Sequence, residues 1–222
     1  MTGLIELVIF DCDGVLIDSE LIGCRIEAEA LTRAGLQITL EEILERFTGV
    51  TSKETFRTLE RERGRPLPAD FAQRVGAEIR AAFERELVAV AGIHAALARI
   101  ELPVCVASSS SPARLEHSLR VTRLFERFTP QIFSATAVGR GKPAPDLFLH
   151  AAERMATPPA RCVVIEDSIP GVEAGVAAGM RVLGFTGASH CGPGHAERLR
   201  AAGAARTFAD MTLLPNLLAA SA

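Results

Sequence analysis

A short apolar run, Leu4 with Leu7-Val8-Ile9-Phe10, ends abruptly in two acids one residue apart, Asp11 and Asp13. Such a run suits a strand buried on both faces of a parallel sheet. In open parallel sheets ligands bind just beyond the carboxyl ends of the strands, so Asp11 and Asp13 emerge where chemistry is usually placed. Two carboxylates this close repel unless a cation or a proton lies between them. A hard cation such as Mg²⁺ prefers oxygen ligands and keeps waters that a phosphate can replace. The two acids can do different work, one attacking and one moving protons. The plain alternative is a strand end followed by a turn. A calcium loop of the EF-hand type does not fit, because Gly14 holds its fourth position and Val15 its fifth.

After Asp18 the pattern turns helical and stays so to about Val88. Residues 20–34 read as an amphipathic helix. Thr39 with Glu42, and Thr51 with Glu54, make capping boxes. Phe71, Val75, Ile79, Phe83 and Leu87 form one stripe along a longer helix. From Gly92 onward, helix and strand alternate, which argues for a right-handed parallel α/β core. The strand candidates are 104–107, 132–133, 162–165, 182–185 and a last one near 206–208. Gly171, Gly175 and Gly179 are spaced to let one helix approach the sheet closely, and 187–195 reads as a loop. The expected architecture is an α/β, Rossmann-like parallel sheet core, residues 1–18 and 88–222. A helical cap domain, residues 19–87, is inserted after the first strand.

The chain has 222 residues, of which 48% are apolar, enough for a sizeable core. Its formal net charge of −3 offers no basic field to nucleic acid. No apolar stretch is long enough to cross a bilayer and no signal pattern opens the chain. The five cysteines form no Cys-x-x-Cys pair, and Cys12, Cys105 and Cys162, in or beside strand-like runs, fit buried thiols in a reducing cytoplasm. A cytoplasmic monomer acting on a small metabolite is expected.

Four strand-end features fall on one edge of this sheet: Asp11/Asp13, Ser108/Ser109, Lys142 and Glu166/Asp167. Singly, each is as well read as a cap, a turn or a solvated charge. Together they supply what phosphoryl transfer needs: metal-binding carboxylates, a hydroxyl and backbone N–H groups for phosphate oxygens, and a balancing cation. Lys142 stands out because it and Lys53 are the two lysines among 24 basic residues, the rest being arginine. A compact point charge rather than a planar fork is wanted there. A Walker loop is excluded, since it would need Gly at 136 and Ser or Thr at 143, where Thr136 and Pro143 stand. A dinucleotide fingerprint fails at Ala144.

The series Asp11-x-Asp13-Gly-Val-Leu-x-Asp-Ser-Glu, Ala107-Ser108-Ser109-Ser110, Gly141-Lys142-Pro143-x-Pro145-Asp146 and Ile165-Glu166-Asp167-Ser168-x-x-Gly171 resembles the haloacid dehalogenase-like hydrolase superfamily. It looks most like the β-phosphoglucomutase-like phosphatase branch, across essentially the whole chain. The resemblance implies Asp11 as nucleophile and Asp13 as general acid and base. It implies Ser108, Ser109 and Lys142 around the phosphoryl group. Mg²⁺ would be bound by Asp11, the Asp13 carbonyl and Asp167, with Glu166 as ligand or support. Asp18 and Glu20 are expected to serve loop structure and hinge capping. In the cap, Gly23, Arg46, Thr51, Ser52, Lys53 and Arg57 are candidates to face the substrate. Mutases of the family carry His and Arg where this chain has Gly23 and Ser52. Hydrolysis of a small sugar phosphate or sugar-acid phosphate, of the 6-phosphogluconate type, is therefore expected over a hexose-phosphate mutase. A non-catalytic binding protein on the same scaffold is the remaining alternative.

Overall fold

The computed structural model describes residues 4–47 and 49–219. Leu7–Phe10 form β1, and all four side chains are buried. The pleat sends alternate side chains to opposite faces. Leu7 and Ile9 join Cys105, Ala107 and Val164 in one core, while Val8 and Phe10 join Val106, Ile165 and Leu183 in the other. The continuous apolar run thus reflects a sheet covered on both sides.

β2 (Val104–Ser108), β3 (Ile132–Ser134), β4 (Cys162–Glu166), β5 (Arg181–Phe185) and β6 (Arg206–Phe208) complete a six-stranded sheet in the order β3-β2-β1-β4-β5-β6. All pairings are parallel, with Phe10 opposite both Val106 and Ile165. The direction of winding reverses between β1 and β4, which opens a crevice beyond their carboxyl ends. Asp11 leaves β1 and Asp167 leaves β4 at that crevice.

After β1 come four helices of the insertion, α1 (Glu20–Arg33), α2 (Leu40–Phe47), α3 (Ser52–Arg63) and α4 (Phe71–Glu86). The whole stripe of Phe71, Val75, Ile79, Phe83 and Leu87 is buried, as are Leu31, Ile43 and Leu59 facing it from the other helices. Both expected caps form: Thr39 Oγ1 accepts from Glu42 N at 3.1 Å and Thr51 Oγ1 from Glu54 N at 3.3 Å. The chain enters and leaves this insertion through one antiparallel bridge, Ile17 with Ala89. Asp18 N donates to Val88 O, and Val90 N to Leu16 O, both at 3.0 Å. The strand signal near 88–90 is too short to show as a pattern, which is why the sequence reads as helical up to it.

The remaining helices, α5 (Ile93–Arg99), α6 (Pro112–Val121), α7 (Phe125–Phe128), α8 (Asp146–Arg154), α9 (Ile169–Ala177), α10 (His195–Ala201) and α11 (Leu214–Ala219), flank the sheet. Ser111 caps α6 with Pro112 in its first turn. The glycine series resolves into two different requirements. A Cβ at Gly171 or Gly175 would collide with Glu166 or Val182, so those two positions do let α9 close on the sheet. Gly179 instead lies past the end of α9 at φ +73° with open space around it. Its requirement is a left-handed backbone, which replaces the packing role expected from the spacing.

No helix among the described residues is long and apolar enough to cross a membrane. The five cysteines are free thiols, four of them buried and Cys191 partly exposed.

Candidate active site

β1, β2 and β4 stop together, so the residues that follow them converge. Lys142 Nζ donates to Asp11 Oδ1 and to Glu166 Oε1, both at 2.6 Å, with its side chain only 3% exposed. Glu166 Oε2 accepts from Asp167 N and Ser168 N at 2.8 Å and from Ser168 Oγ at 2.9 Å. Both oxygens of Glu166 are therefore engaged within the protein. One oxygen each from Asp11, Glu166 and Asp167 lie within 4.8 Å of one another. Burial raises the Asp11 pKa well above the usual carboxylate value; Lys142 opposes this, and Glu166, Asp167 and Asp13 push it further up. Burial works against the Lys142 ammonium, but Asp11 and Glu166 outweigh it and hold its pKa above the usual lysine value. The three carboxylates of Asp11, Glu166 and Asp167 outnumber the two cations that face them, Lys142 and His190, the condition that a hard divalent cation relieves.

Asp13 lines the same cavity as Asp11 but has partners of its own. Its carboxylate accepts from Ser19 Oγ at 2.6 Å, Ser110 Oγ at 2.7 Å and the Arg114 guanidinium at 3.1 Å. Burial alone would raise its pKa, but Arg114 and the two hydroxyls hold it below the ordinary value. Ser108 is the buried last residue of β2, and its Oγ accepts from Ser110 N at 3.1 Å, which curls the loop over the sheet end. Ser109 lines the same cavity.

Asp167 is fixed by a segment that reads only as a loop in the sequence. His190 Nε2 donates to Asp167 Oδ2 at 3.0 Å, and His195 Nε2 donates to the Asp167 carbonyl at 2.6 Å. Burial disfavours a charged His190, but its bond to Asp167 raises its pKa to about 11. Gly14, at φ +78°, gives the room: a Cβ there would run into Asp167 and His190.

These groups open into a cavity of about 260 Å³. Its floor is the sheet edge; its roof includes Glu20, Gly23 and Glu27 of α1, and Val50, Thr51 and Ser52 at the start of α3. Ser52 Oγ donates to Glu27 Oε1 at 2.5 Å. Burial, then Asp13 and Asp167, push the Glu20 pKa to about 8; burial also raises that of Glu27. Of the cap candidates, Gly23, Thr51 and Ser52 line this cavity. Lys53 and Arg57 line a separate surface groove with Glu54, Glu60 and Arg61. Arg46 is paired with Glu42 and Glu62 beside an adjoining groove. Asp18 accepts from Ser189 N and Oγ, a loop-fastening role, whereas Glu20 faces the cavity rather than capping a hinge.

Arg114, Ser110, Glu27, His190 and His195 escape a sequence reading. Arg114 carries one usable signal: it sits in the first turn of a helix that starts at a strand-end loop. His190 and His195 carry none, because their partner lies over twenty residues away and is met only in the fold.

A parallel sheet whose β1 and β4 ends gather acids around a lysine, beneath inserted helices, defines a Rossmann-like hydrolase of the phosphatase class. A family model for haloacid dehalogenase-like hydrolases matches residues 5–179. A 6-phosphogluconate phosphatase from Escherichia coli (strain K12) is 34% identical over 214 residues, covering 96% of this chain and 94% of its own. Two solved structures are similar. A haloacid dehalogenase-like protein of unknown function from Agrobacterium tumefaciens is 44% identical with TM-score 0.86, covering 97% of this chain and 98% of its own. A family hydrolase from Deinococcus radiodurans with bound phosphate and sodium is 35% identical with TM-score 0.79, covering 98% and 96%. The chain belongs to the haloacid dehalogenase-like hydrolase family, in the branch that holds sugar-phosphate phosphatases and β-phosphoglucomutase-like proteins. It is an enzyme of the phosphoric monoester hydrolase type.

Two outcomes follow from the packing and the charges. Gly171→Ala drives a methyl group into the Glu166 carboxylate that holds Lys142. It is expected to destabilise the protein by about 1–3 kcal/mol, measured by urea unfolding. In metal-free protein, folded Glu20 keeps its proton to about pH 8, whereas an unfolded glutamate releases it near 4.5. The folded form binds the extra proton, so this group's contribution falls as pH rises through that interval. The melting temperature of Glu20→Gln relative to the parent is expected to climb from about pH 5 to about pH 8; a constant difference would contradict the assignment.

Proposed function

We propose that the chain is a Mg²⁺-dependent phosphomonoester hydrolase that works through an aspartyl-phosphate on a small sugar phosphate or sugar-acid phosphate. The observation that carries this reading is the convergence of Asp11, Lys142, Glu166 and Asp167 on one buried point. The excess of acids there fits a hard cation. Asp11, the Asp13 carbonyl and Asp167 would hold it, while Glu166, with both oxygens occupied, positions Lys142 and the turn after β4. Bound Mg²⁺ would neutralise phosphoryl charge.

Asp11 attacks phosphorus and the ester P–O bond breaks; the departing alkoxide takes a proton from Asp13, which must first bind one from solvent against the pull of Arg114 and its two hydroxyl donors. Water then attacks the aspartyl-phosphate, Asp13 takes its proton, and the P–O bond to Asp11 breaks to release phosphate. Ser108, the Ser109 amide and Lys142 hold the phosphoryl oxygens and balance their charge. The inserted helices, residues 19–87, act as a cap on the core of residues 1–18 and 88–222 and keep bulk water from the intermediate. A phosphate-bound relative and a relative that acts on 6-phosphogluconate support the substrate class. Gly23 and Ser52 in the roof support hydrolysis over mutase chemistry.

Asp11→Asn is expected to lower phosphate release by at least about 10³-fold at saturating Mg²⁺, and to remove the phosphorylated species seen by mass spectrometry after acid quench of the parent. Unchanged turnover would rule out the covalent route. His190→Asn should weaken Mn²⁺ binding, read by electron paramagnetic resonance, by about 10–100-fold, with the fold retained.

A further inference from the structure

We infer that Arg114 is the receptor for a carboxylate on the leaving group, so that favoured substrates are phosphate esters of hydroxy acids rather than of neutral sugars or polyols. This rests on the hydrolase reading above. Among the described residues that line the cavity, the cations are Lys142 and Arg114. Lys142 is committed to Asp11 and Glu166. Lys53 and Arg57, expected from the sequence to face the substrate, line another groove, which leaves Arg114 as the cation of this cavity beside Lys142.

The guanidinium is held in place. One nitrogen, Nη2, donates to Asp13 Oδ1 at 3.1 Å, and its carbon lies 5.0 Å from the centre of the Phe83 ring. Gly23 leaves space beside it: a Cβ at that position would stop 4.0 Å from Nη2. Arg114 Nε is buried without a partner, a costly state for a charged donor unless a ligand satisfies it. A planar fork of donors matches a carboxylate.

Position and charge select the ligand. Arg114 stands against Asp13, the acid nearest the departing oxygen, so the group it binds belongs to the leaving alcohol. Glu20 and Glu27 line the same chamber. A second phosphate would set a dianion against one cation and two acids, whereas a carboxylate is a single charge. The Glu27–Ser52 pair and Glu20 suit the hydroxyl groups of such an acid.

The test is a comparison of matched esters with parent, Arg114→Gln and Arg114→Lys in Mg²⁺. The pairs are 6-phosphogluconate against sorbitol 6-phosphate, and phosphoglycolate against ethyl phosphate. The parent should prefer the acid of at least one pair by about tenfold or more in kcat/KM. Arg114→Gln should bring that preference within about threefold, chiefly through KM, and Arg114→Lys should retain part of it. Equal treatment of both members by the parent, or an equal loss on both in Arg114→Gln, overturns the inference. Failure of the parent to hydrolyse any of the four esters overturns the hydrolase reading itself. Should Arg114→Gln not fold, the parent alone decides. Free gluconate should then inhibit it about tenfold more strongly than sorbitol, and equal inhibition refutes the role of Arg114.

Discussion

Everything in this site follows from one crowding: carboxylates packed out of water, each against a cation, with one ammonium shared between two of them. Lys142 spans Asp11 and Glu166, and the turn after β4 closes its N–H groups on the far oxygen of Glu166. A lysine buried this deeply keeps its proton only because two acids face it. Those acids in turn stay close only because the lysine does. Removing either partner would strand an unpaired buried charge, a heavy penalty. The geometry of β1 and β4 is thereby coupled to the charge pattern at their ends.

The crowding also organises the surroundings. Asp13 has its own set of donors in Ser19, Ser110 and Arg114. Those three residues come from the entrance to the insertion, the loop after β2 and the first turn of α6. Asp167 is held by two histidines from the loop after β5 and the start of α10. Each acid is thus tuned by a different segment, and two adjacent carboxylates acquire different environments. Glycines at 14 and 171 are the steric condition for this crowding.

The path of the chain sets how the inserted helices meet the sheet. The insertion is joined to the sheet beside a bridge of Ile17 and Ala89, and Leu31, Ile43, Leu59 and Phe83 of its helices are buried in one apolar cluster with Val8, Phe10, Val106 and Ile165 of the sheet. Around the cavity the two sides present polar groups, Ser52 and Glu27 from the insertion and Arg114 from α6.

The sequence by itself determined the sheet, the inserted helices and the residues at the strand ends. Apolar periodicity, caps and abrupt terminations are local signals, and Asp11, Asp13, Ser108, Glu166 and Asp167 stand at or just past such terminations, while Lys142 stands out as one of two lysines. Gly179 shows the limit of spacing: equal intervals of four concealed a backbone requirement at one position and packing at the others. Only the tertiary structure decided which charges meet. Arg114 reaches Asp13 across 101 positions, His190 reaches Asp167 through a loop of no recognisable pattern, and Lys53 and Arg57 turn to another groove. Such pairings depend on side-chain direction and on the approach of distant segments, and neither is written in local periodicity.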